Sequence, residues 1–300
     1  MKAQTKWGWL LAIYLFLAGL GGGAYTAGVI GDFLGWHPGI SKIGILLGFP
    51  CVLLGCIFLI ADLGKPANFW RAFMKPRTSW IARGTIIITV FMIVNFIHIV
   101  LWIWPFNVLD ESVGARYFIN TLGIIFAFGT MIYTGILLSV SRPIAFWSTA
   151  MLPLLFLVSA LSTGFMAVIA LSTFAGIRIE DIIILEKLDI MLIIAEIFIL
   201  VFYLYSTQRV PEARASAKHI LFGSVAPLFW IGVAMLGLIV PLVFDLLGIF
   251  TFTGAGAHTI MIIASISGVI GGLILRKVIL SGGIHAPLKA GRFEFGLTNV

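Results

Sequence analysis

Two acidic residues stand in an apolar run of this sequence, where a carboxylate is costly. Glu196 has Ile, Leu, Ala and Phe around it, and Asp189 precedes it by seven residues. Seven residues of helix are nearly two turns, so both carboxylates lie on one helix face, about 10 Å apart. Apolar surroundings favour the protonated form of a carboxyl group, which suits proton relay. A buried acid that only hydrogen-bonds to a neighbouring helix is the structural alternative.

Four more polar residues occur at similar depths in four other apolar runs. Tyr14 and Tyr133 lie about two turns from one end of their runs, Asp62 ends its run, and Arg276 lies near the end of its own. A phenol can donate a hydrogen bond to a carbonyl, and a carboxylate can take up a proton. Together these residues predict a quinone site in which the tyrosines orient the ring and Asp62 accepts a proton. A single Tyr at this depth is also typical of an aromatic belt.

The segment 61–84 joins two apolar runs and is unusually basic for a protein that is only 10% charged. Its basic residues are Lys65, Arg71, Lys75, Arg77 and Arg83. One interpretation is a cationic loop that holds an inner membrane face. The other is a docking platform, formed by the first four of these residues, for an acidic partner.

The sequence offers little for haem or metal binding. A membrane b-haem needs two axial ligands, usually His, and His98 and His258 both fall toward one membrane side, with no second His deep in a helix. There is no HExxH motif and no cluster at metal-ligand spacing. We therefore predict no metal site and no haem, and a reduced-minus-oxidised spectrum would expose the haem-bearing alternative.

The composition indicates a membrane protein with many spans. Hydrophobic residues make up 61% of the 300 residues and the mean hydropathy is +1.13, against roughly 45–50% apolar residues in soluble proteins. The lipid bilayer is therefore the partner of most of the surface, and the net charge of +7 does not indicate nucleic-acid binding. We predict an all-α integral membrane protein.

Eight apolar runs are long enough to span a bilayer. They cover residues 7–31, 40–61, 80–104, 117–140, 144–173, 187–206, 219–247 and 256–280. The connections between them are too short for a soluble cofactor domain. Any hydrophilic chemistry must therefore reside on another polypeptide.

The charges alternate between the two sets of connections. The side with both termini and the loops 62–83, 141–143 and 207–218 holds 15 of the 19 Lys and Arg residues. The other side holds most of the acids. The positive-inside rule places both termini in the cytoplasm, and an even number of spans agrees with termini on one side.

Glycines are concentrated in the first span, between Gly19 and Ala24. Small residues let helix backbones approach closely. They also clear space for a flat ring, so Gly22 is a candidate wall of the quinone slot.

Three segments carry a resemblance to a known family. They are YLFLAGLGGGA at Tyr14–Ala24, DLGKPANFWR at Asp62–Arg71, and YTGILLS at Tyr133–Ser139 with the helical pattern that follows to Gly164. The sequence resembles the NrfD-like membrane subunits of polysulfide reductase and related complexes. The DLGKP loop is the most specific of the three.

This resemblance implies two four-helix bundles, residues 1–140 and residues 141–300 with the C-terminal tail, in the plasma membrane of a prokaryote. It implies that menaquinol binds in the first bundle and that its electrons pass to a four-cluster ferredoxin-like iron–sulfur subunit. A molybdopterin catalytic subunit would receive them next. The best-known complexes of this family carry these subunits outside the cytoplasm, which would make the basic face and both termini exoplasmic, against the charge count.

The resemblance also assigns roles to individual residues. It places Tyr14, Asp62 and Tyr133 around the quinone head, with Gly64 and Pro66 shaping the pocket. By a looser match, Asp189, Glu196 and Arg276 resemble polar residues of the second bundle that are linked to proton movement.

Two further functions stay open at this point. A proton-coupled secondary transporter would also have two similar bundles and intramembrane carboxylates, although no convincing pair of broken helices stands in matching places. A purely structural anchor would have no quinone chemistry. A transporter would be purified alone, whereas an anchor subunit would bring hydrophilic partners.

Overall fold

The protein is helical through nearly all of the computed structural model, which describes residues 7–140, 143–251, 255–284, 288–290 and 293–295. The long helices are α1 (Trp9–Phe33), α2 (Pro38–Ala61), α3 (Trp80–Trp102), α4 (Val113–Ser139), α5 (Met151–Phe174), α6 (Ile179–Ser206), a π-helix (Leu228–Ile239) that continues into α8 (Val240–Thr251), and α9 (Ala255–Gly282). A shorter helix, α7 (Pro211–Phe222), precedes the π-helix.

Short elements connect or follow these helices. Three 3₁₀ helices cover Pro66–Phe73, Val108–Asp110 and Thr207–Arg209. In the tail, strands β1 (Leu288–Ala290) and β2 (Phe293–Phe295) pair antiparallel, with Leu288 opposite Phe295. The tail therefore adds a small hairpin to an otherwise helical protein.

Eight helical segments of the described residues are long and apolar enough to cross a membrane. This confirms the predicted all-α architecture with eight spans. The amphipathic helix α7 is not among them.

Three of the predicted spans have clearly different boundaries in the structure. The fifth helix begins at Met151, not at 144, because residues 143–150 form turns. The sixth helix begins at Ile179, not at 187, because the apolar residues 182–185 continue the helix between acids that lower the mean hydropathy. The span predicted over 219–247 covers Leu228–Gly248 instead. Helix α7 ends at Phe222, and the π-helix begins after Pro227, which lacks the N–H needed to continue a helical ladder.

Helix α1 is the most buried span, and it contacts α2, α4, α5 and α9. Its glycines allow this crowding. A Cβ atom on Gly23 would overlap the carbonyl of Ala160 on α5, and one on Gly164 would overlap Gly23. The backbones of α1 and α5 therefore touch, as small residues permit.

The contacts between helices fall into two sets. Helices α1–α4, here named the first helix group, contact one another, as do α5, α6, the π-helix with α8, and α9, here named the second helix group. The arrangement is consistent with two four-helix bundles, joined mainly through α1 and α5. The division at residues 140 and 141 stays a prediction.

Candidate functional site

A large cavity lies within the first helix group, toward the end that carries the basic loop. Its volume is about 770 Å³, within the range of small-molecule sites. Helices α1–α4 and the 3₁₀ helix Pro66–Phe73 all contribute to its wall. The wall is almost entirely apolar, and its most polar side chains are Tyr14, Thr85, Thr89 and Tyr133.

The structure brings the two predicted tyrosines, Tyr14 and Tyr133, to the wall of this one cavity. Tyr14 is 1% exposed and Tyr133 is 5% exposed. The ring of Tyr133 lies directly on the backbone of α3, and a Cβ atom on Gly84 would overlap it. Gly84 therefore fixes where Tyr133 packs, and sequence reasoning missed it because the two positions are 49 residues apart.

The other residues predicted around the quinone lie elsewhere. Asp62 caps the C-terminal end of α2 and is exposed, although Leu63 beside it lines the cavity. Gly64 and Pro66 are exposed in the loop, and a Cβ on Gly64 would meet nothing within 4 Å. Gly22 packs α1 against α4. A Cβ atom added to Gly22 would lie only 2.9 Å from Met131 Cγ.

The basic loop has two faces. Phe69, Ala72 and Phe73 of its 3₁₀ helix line the cavity. The four predicted docking residues are all exposed, and they are Lys65, Arg71, Lys75 and Arg77. The loop therefore covers the cavity with its apolar side and presents its cations outward.

Local hydrogen bonds hold this loop in place. The Arg83 guanidinium donates to the carbonyl oxygens of Pro76 at 2.9 Å and Arg77 at 2.7 Å. The Ser79 hydroxyl accepts from the Ala82 N–H at 3.4 Å and caps α3. The fifth basic residue of the loop thus has a structural role.

A second, much smaller cavity lies within the second helix group. Its volume is about 10 Å³, enough for about one water molecule. It is lined by groups from α5, α6, the π-helix and α9, including Ser159, Ser162, Thr163 and Glu196. Long π-helices are rare, and π-helical segments are frequent at functional sites.

Arg276 is fully buried beside this cavity. Its guanidinium donates to the Ser159 hydroxyl and to the Phe156 carbonyl, the latter at 3.2 Å, and lies 4.8 Å from the Phe156 ring centroid. Ser159 also faces Glu196. On its other side, Arg276 faces α1. Its Nη2 atom lies 3.6 Å from where a Cβ atom on Gly19 would be, so the guanidinium reaches the interface with α1.

Asp189 extends this arrangement toward the other membrane surface. It is fully buried and accepts a hydrogen bond from Ser162 at 2.8 Å. The three predicted residues Asp189, Glu196 and Arg276 are thus linked by Ser162, the small cavity and Ser159. We name this arrangement the polar line. Sequence reasoning missed the two serines, although their spacing of three residues places them on one helix face.

Sequence reasoning did not single out two further acids, Glu186 and Asp245. The structure buries Glu186 in α6 and Asp245 in α8, with exposures of 0% and 5%. Glu186 precedes Asp189 by three residues. Helical periodicity, which places Asp189 and Glu196 on one face, also places Glu186 near that face and could have predicted its burial.

The two helix-borne histidines considered for haem have different surroundings. His98 is fully buried, shares a 3.0 Å hydrogen bond with the Tyr25 hydroxyl and stacks on Trp102. His258 lies at the head of α9 and is partly exposed. Among the described residues, no group of three or more His, Cys, Asp or Glu could hold a metal ion.

The fold and these two sites define a multi-pass helical membrane protein with an apolar ligand cavity in one helix group and a buried polar line in the other. The protein belongs to the NrfD family, because the family model described as polysulphide reductase, NrfD, matches residues 1–287. This confirms the resemblance seen in the sequence and makes the protein a membrane subunit associated with oxidoreductase complexes.

Individual relatives agree with this membership. A polysulfide reductase polypeptide of Wolinella succinogenes is 30% identical over 261 residues, which cover 80% of this protein and 82% of the relative. Protein NrfD of Escherichia coli is 28% identical, covering 92% and 94%. A selenate reductase subunit of Mesobacillus selenatarsenatis is 23% identical, covering 96% and 76%.

Proposed function

We propose that this protein is the quinol-interacting membrane anchor of a multisubunit respiratory oxidoreductase. It binds menaquinol in the cavity of the first helix group and passes the electrons to an iron–sulfur subunit of a molybdopterin enzyme. The observation that carries the proposal is the 770 Å³ apolar cavity, in which Tyr14 and Tyr133 are placed under a basic loop. The family, and relatives described as parts of polysulfide and selenate reductases, support it.

The cavity wall fits a prenylated quinone. Its apolar side chains suit an isoprenoid tail, and its few polar groups suit an oriented ring, since ligand sites combine the two in this way. When bound, a quinol supplies two electrons and two protons on oxidation. The hydroxyl groups of Tyr14 and Tyr133 hydrogen-bond its oxygen atoms and fix the ring.

Proton acceptance at this cavity is assigned to Asp62, which stands next to the basic loop. Asp62 stands at the exposed end of α2 beside Leu63 of the cavity wall. There its carboxylate accepts a proton from the site and releases it to water. Gly64 and Pro66 shape the loop that follows Asp62 and covers the cavity, and Gly22 holds α1 close to α4.

The polar line serves proton movement in this proposal. Asp189, Ser162, the one-water cavity, Glu196, Ser159 and Arg276 form a series of neighbouring groups that crosses much of the second helix group. Hydroxyl and carboxyl groups can both give and take a proton. Arg276 holds Ser159 beside Glu196 by a hydrogen bond and so fixes one end of the series.

The exposed cations of the loop dock the partner. Lys65, Arg71, Lys75 and Arg77 face outward over the cavity, so an acidic four-cluster iron–sulfur subunit seated there lies close to the quinol. Charge complementarity of this kind speeds and orients association. We place the protein in a prokaryotic plasma membrane, with the basic face on the side where the partner subunits lie.

Purification of the native complex in a mild detergent tests the proposal. Mass spectrometry of the preparation should find an iron–sulfur protein, a molybdopterin protein and extracted menaquinone. A protein that is purified alone and without quinone would contradict the anchor function and favour a transporter. An absorbance spectrum of the same preparation, reduced minus oxidised, reports any haem.

A further inference from the structure

Three buried carboxyl groups lie on the contacting helices α6 and α8 at one end of the second helix group, where the proposed path has no assigned beginning. Glu186 and Asp189 lie one turn apart on α6, and Asp245 lies on α8. The side chain of Glu186 faces α8. Its Oε1 atom lies 4.0 Å from where a Cβ atom on Gly248 would be. Gly248 follows Asp245 by three residues and so shares its helix face.

Most of the oxygen atoms of α6 in this cluster have no partner. Both carboxyl oxygens of Glu186 and Oδ2 of Asp189 are buried without a hydrogen bond, while Oδ1 of Asp189 accepts from Ser162. Buried polar groups without partners are rare in native proteins and call for an explanation. Here the unpartnered atoms all belong to α6, and Oε1 of Glu186 faces α8.

No basic residue balances this cluster within the described part of the protein. The ion pairs found there are Lys42 with Asp110, Arg116 with Asp32, and Arg178 with Glu180 and Asp181. Lys187, the only lysine of α6, is exposed. The groups that face the cluster are Ser162 from α5 and Glu196 from α6, with Arg276 of α9 beyond them, held by Ser159 and Phe156.

Three ionised carboxylates cannot stay together in such a place. Burying one unpaired charge is costly, and neighbouring like charges add to the cost. Either protons or a bound cation must neutralise the cluster. The described carboxylates do not converge as a metal site would require, which favours protons.

We propose that Glu186, Asp189 and Asp245 form a shared-proton cluster that stores exchangeable protons and delivers them through Ser162 to Glu196. This inference rests on the proton path proposed above and adds its uptake site. Each transfer moves one proton from a carboxyl O–H to the next oxygen atom and leaves a carboxylate behind. No electron moves in this step.

Labelling with dicyclohexylcarbodiimide tests the cluster in the purified complex. This hydrophobic reagent adds to protonated carboxyl groups in apolar surroundings and leaves a stable adduct. Peptide mass spectrometry should find adducts at one or more of the three residues, and none at the exposed Glu180. Sodium chloride should not change the labelling. Adducts at none of the three, or protection by sodium ions, would overturn the proposal, and the second result would indicate a cation site.

Infrared spectra of variants give an independent measurement. In Glu186→Gln and Asp245→Asn the carbonyl band of protonated carboxyl groups, identified by its shift in heavy water, should lose intensity relative to the wild type. Glu180→Gln, the matched control, should keep it. An unchanged band in both cluster variants would contradict the inference. Neither measurement requires quinol turnover, so a failure of the proposed quinol function would be seen separately.

Discussion

The two cavities of this protein have opposite construction. The cavity of the first helix group is large, apolar and bordered by exposed parts of a loop, and its few polar groups are hydroxyls. The cavity of the second helix group has room for about one water among serines, a threonine and a carboxyl group. A space of the first kind suits a molecule that enters and leaves, whereas a space of the second kind suits protons. Under the proposed function, this difference divides quinol binding and proton movement between the two helix groups.

The variant Glu196→Gln should have the largest effect on the proposed division between the two helix groups. The change keeps the size of the side chain but removes the proton-carrying group, so we expect proton-coupled turnover to fall about 100-fold. Proton uptake during quinol oxidation in proteoliposomes measures this. Quinol affinity should stay near normal, Glu196→Asp should restore part of the coupling, and Glu180→Gln should behave as wild type. Normal coupled turnover in Glu196→Gln would show that the polar line carries no protons.

Gly84→Ala tests the same division from the other helix group. The new methyl group would displace the Tyr133 ring, and overpacking of this kind typically costs about 1–3 kcal/mol. We expect quinol oxidation to fall roughly 10-fold or more, measured on membranes with equal amounts of assembled complex. Gly114→Ala is the control, because a Cβ there meets nothing within 4 Å.

Tyr133→Phe and Tyr14→Phe should have smaller effects. Each removes one hydroxyl that could hydrogen-bond the quinol, and a hydrogen bond contributes about 1 kcal/mol, so we expect about a five-fold loss in kcat/KM for quinol. Tyr205→Phe, at an exposed site of α6, should leave the rate unchanged. Equal rates in all three variants would remove the tyrosines from the quinone site.

Reversal of charge on the loop should have the smallest effect. In the double variant Arg71→Glu/Lys75→Glu we expect the affinity for the iron–sulfur subunit to fall a few-fold at low salt, because two attractive charges are reversed. The affinity should also depend less on salt, because salt acts by screening these exposed charges. Pull-down at several salt concentrations measures this. Lys218→Glu, an exposed cation outside the loop, is the control. An affinity that does not respond to the loop variant would place the docking surface elsewhere.

Much of the fold could be predicted because bilayer thickness sets the length of an apolar run. The eight spans follow from that rule, and the shared helix face of Asp189 and Glu196 follows from the period of the α-helix. The early start of α6 could not be found in this way, because acids within the first turns hide a helix that continues. The π-helix has no simple signal in hydropathy, since its residues are as apolar as those of an α-helix.

The site was less predictable than the fold. Their similar depth in the membrane predicted that Tyr14, Tyr133 and Asp62 lie together. The two tyrosines line one cavity, and Asp62 does not line it. The structure leaves Asp62 exposed at the end of α2. Contacts between helices decide such details, and the Gly84 contact with Tyr133 or the Ser159 contact with Arg276 joins positions far apart in the sequence.

The central position of α1 also sets the order of events during synthesis. It is made before α9, which packs against it and follows roughly 220 residues later, a delay of about 10–45 s at common translation rates. During that time its glycine-lined surface faces lipid or the insertion machinery. The Thr26 hydroxyl of that surface is already satisfied by the Gly22 carbonyl of the same helix, whereas the hydroxyls of Tyr14 and Tyr25 are buried only when the neighbouring helices arrive.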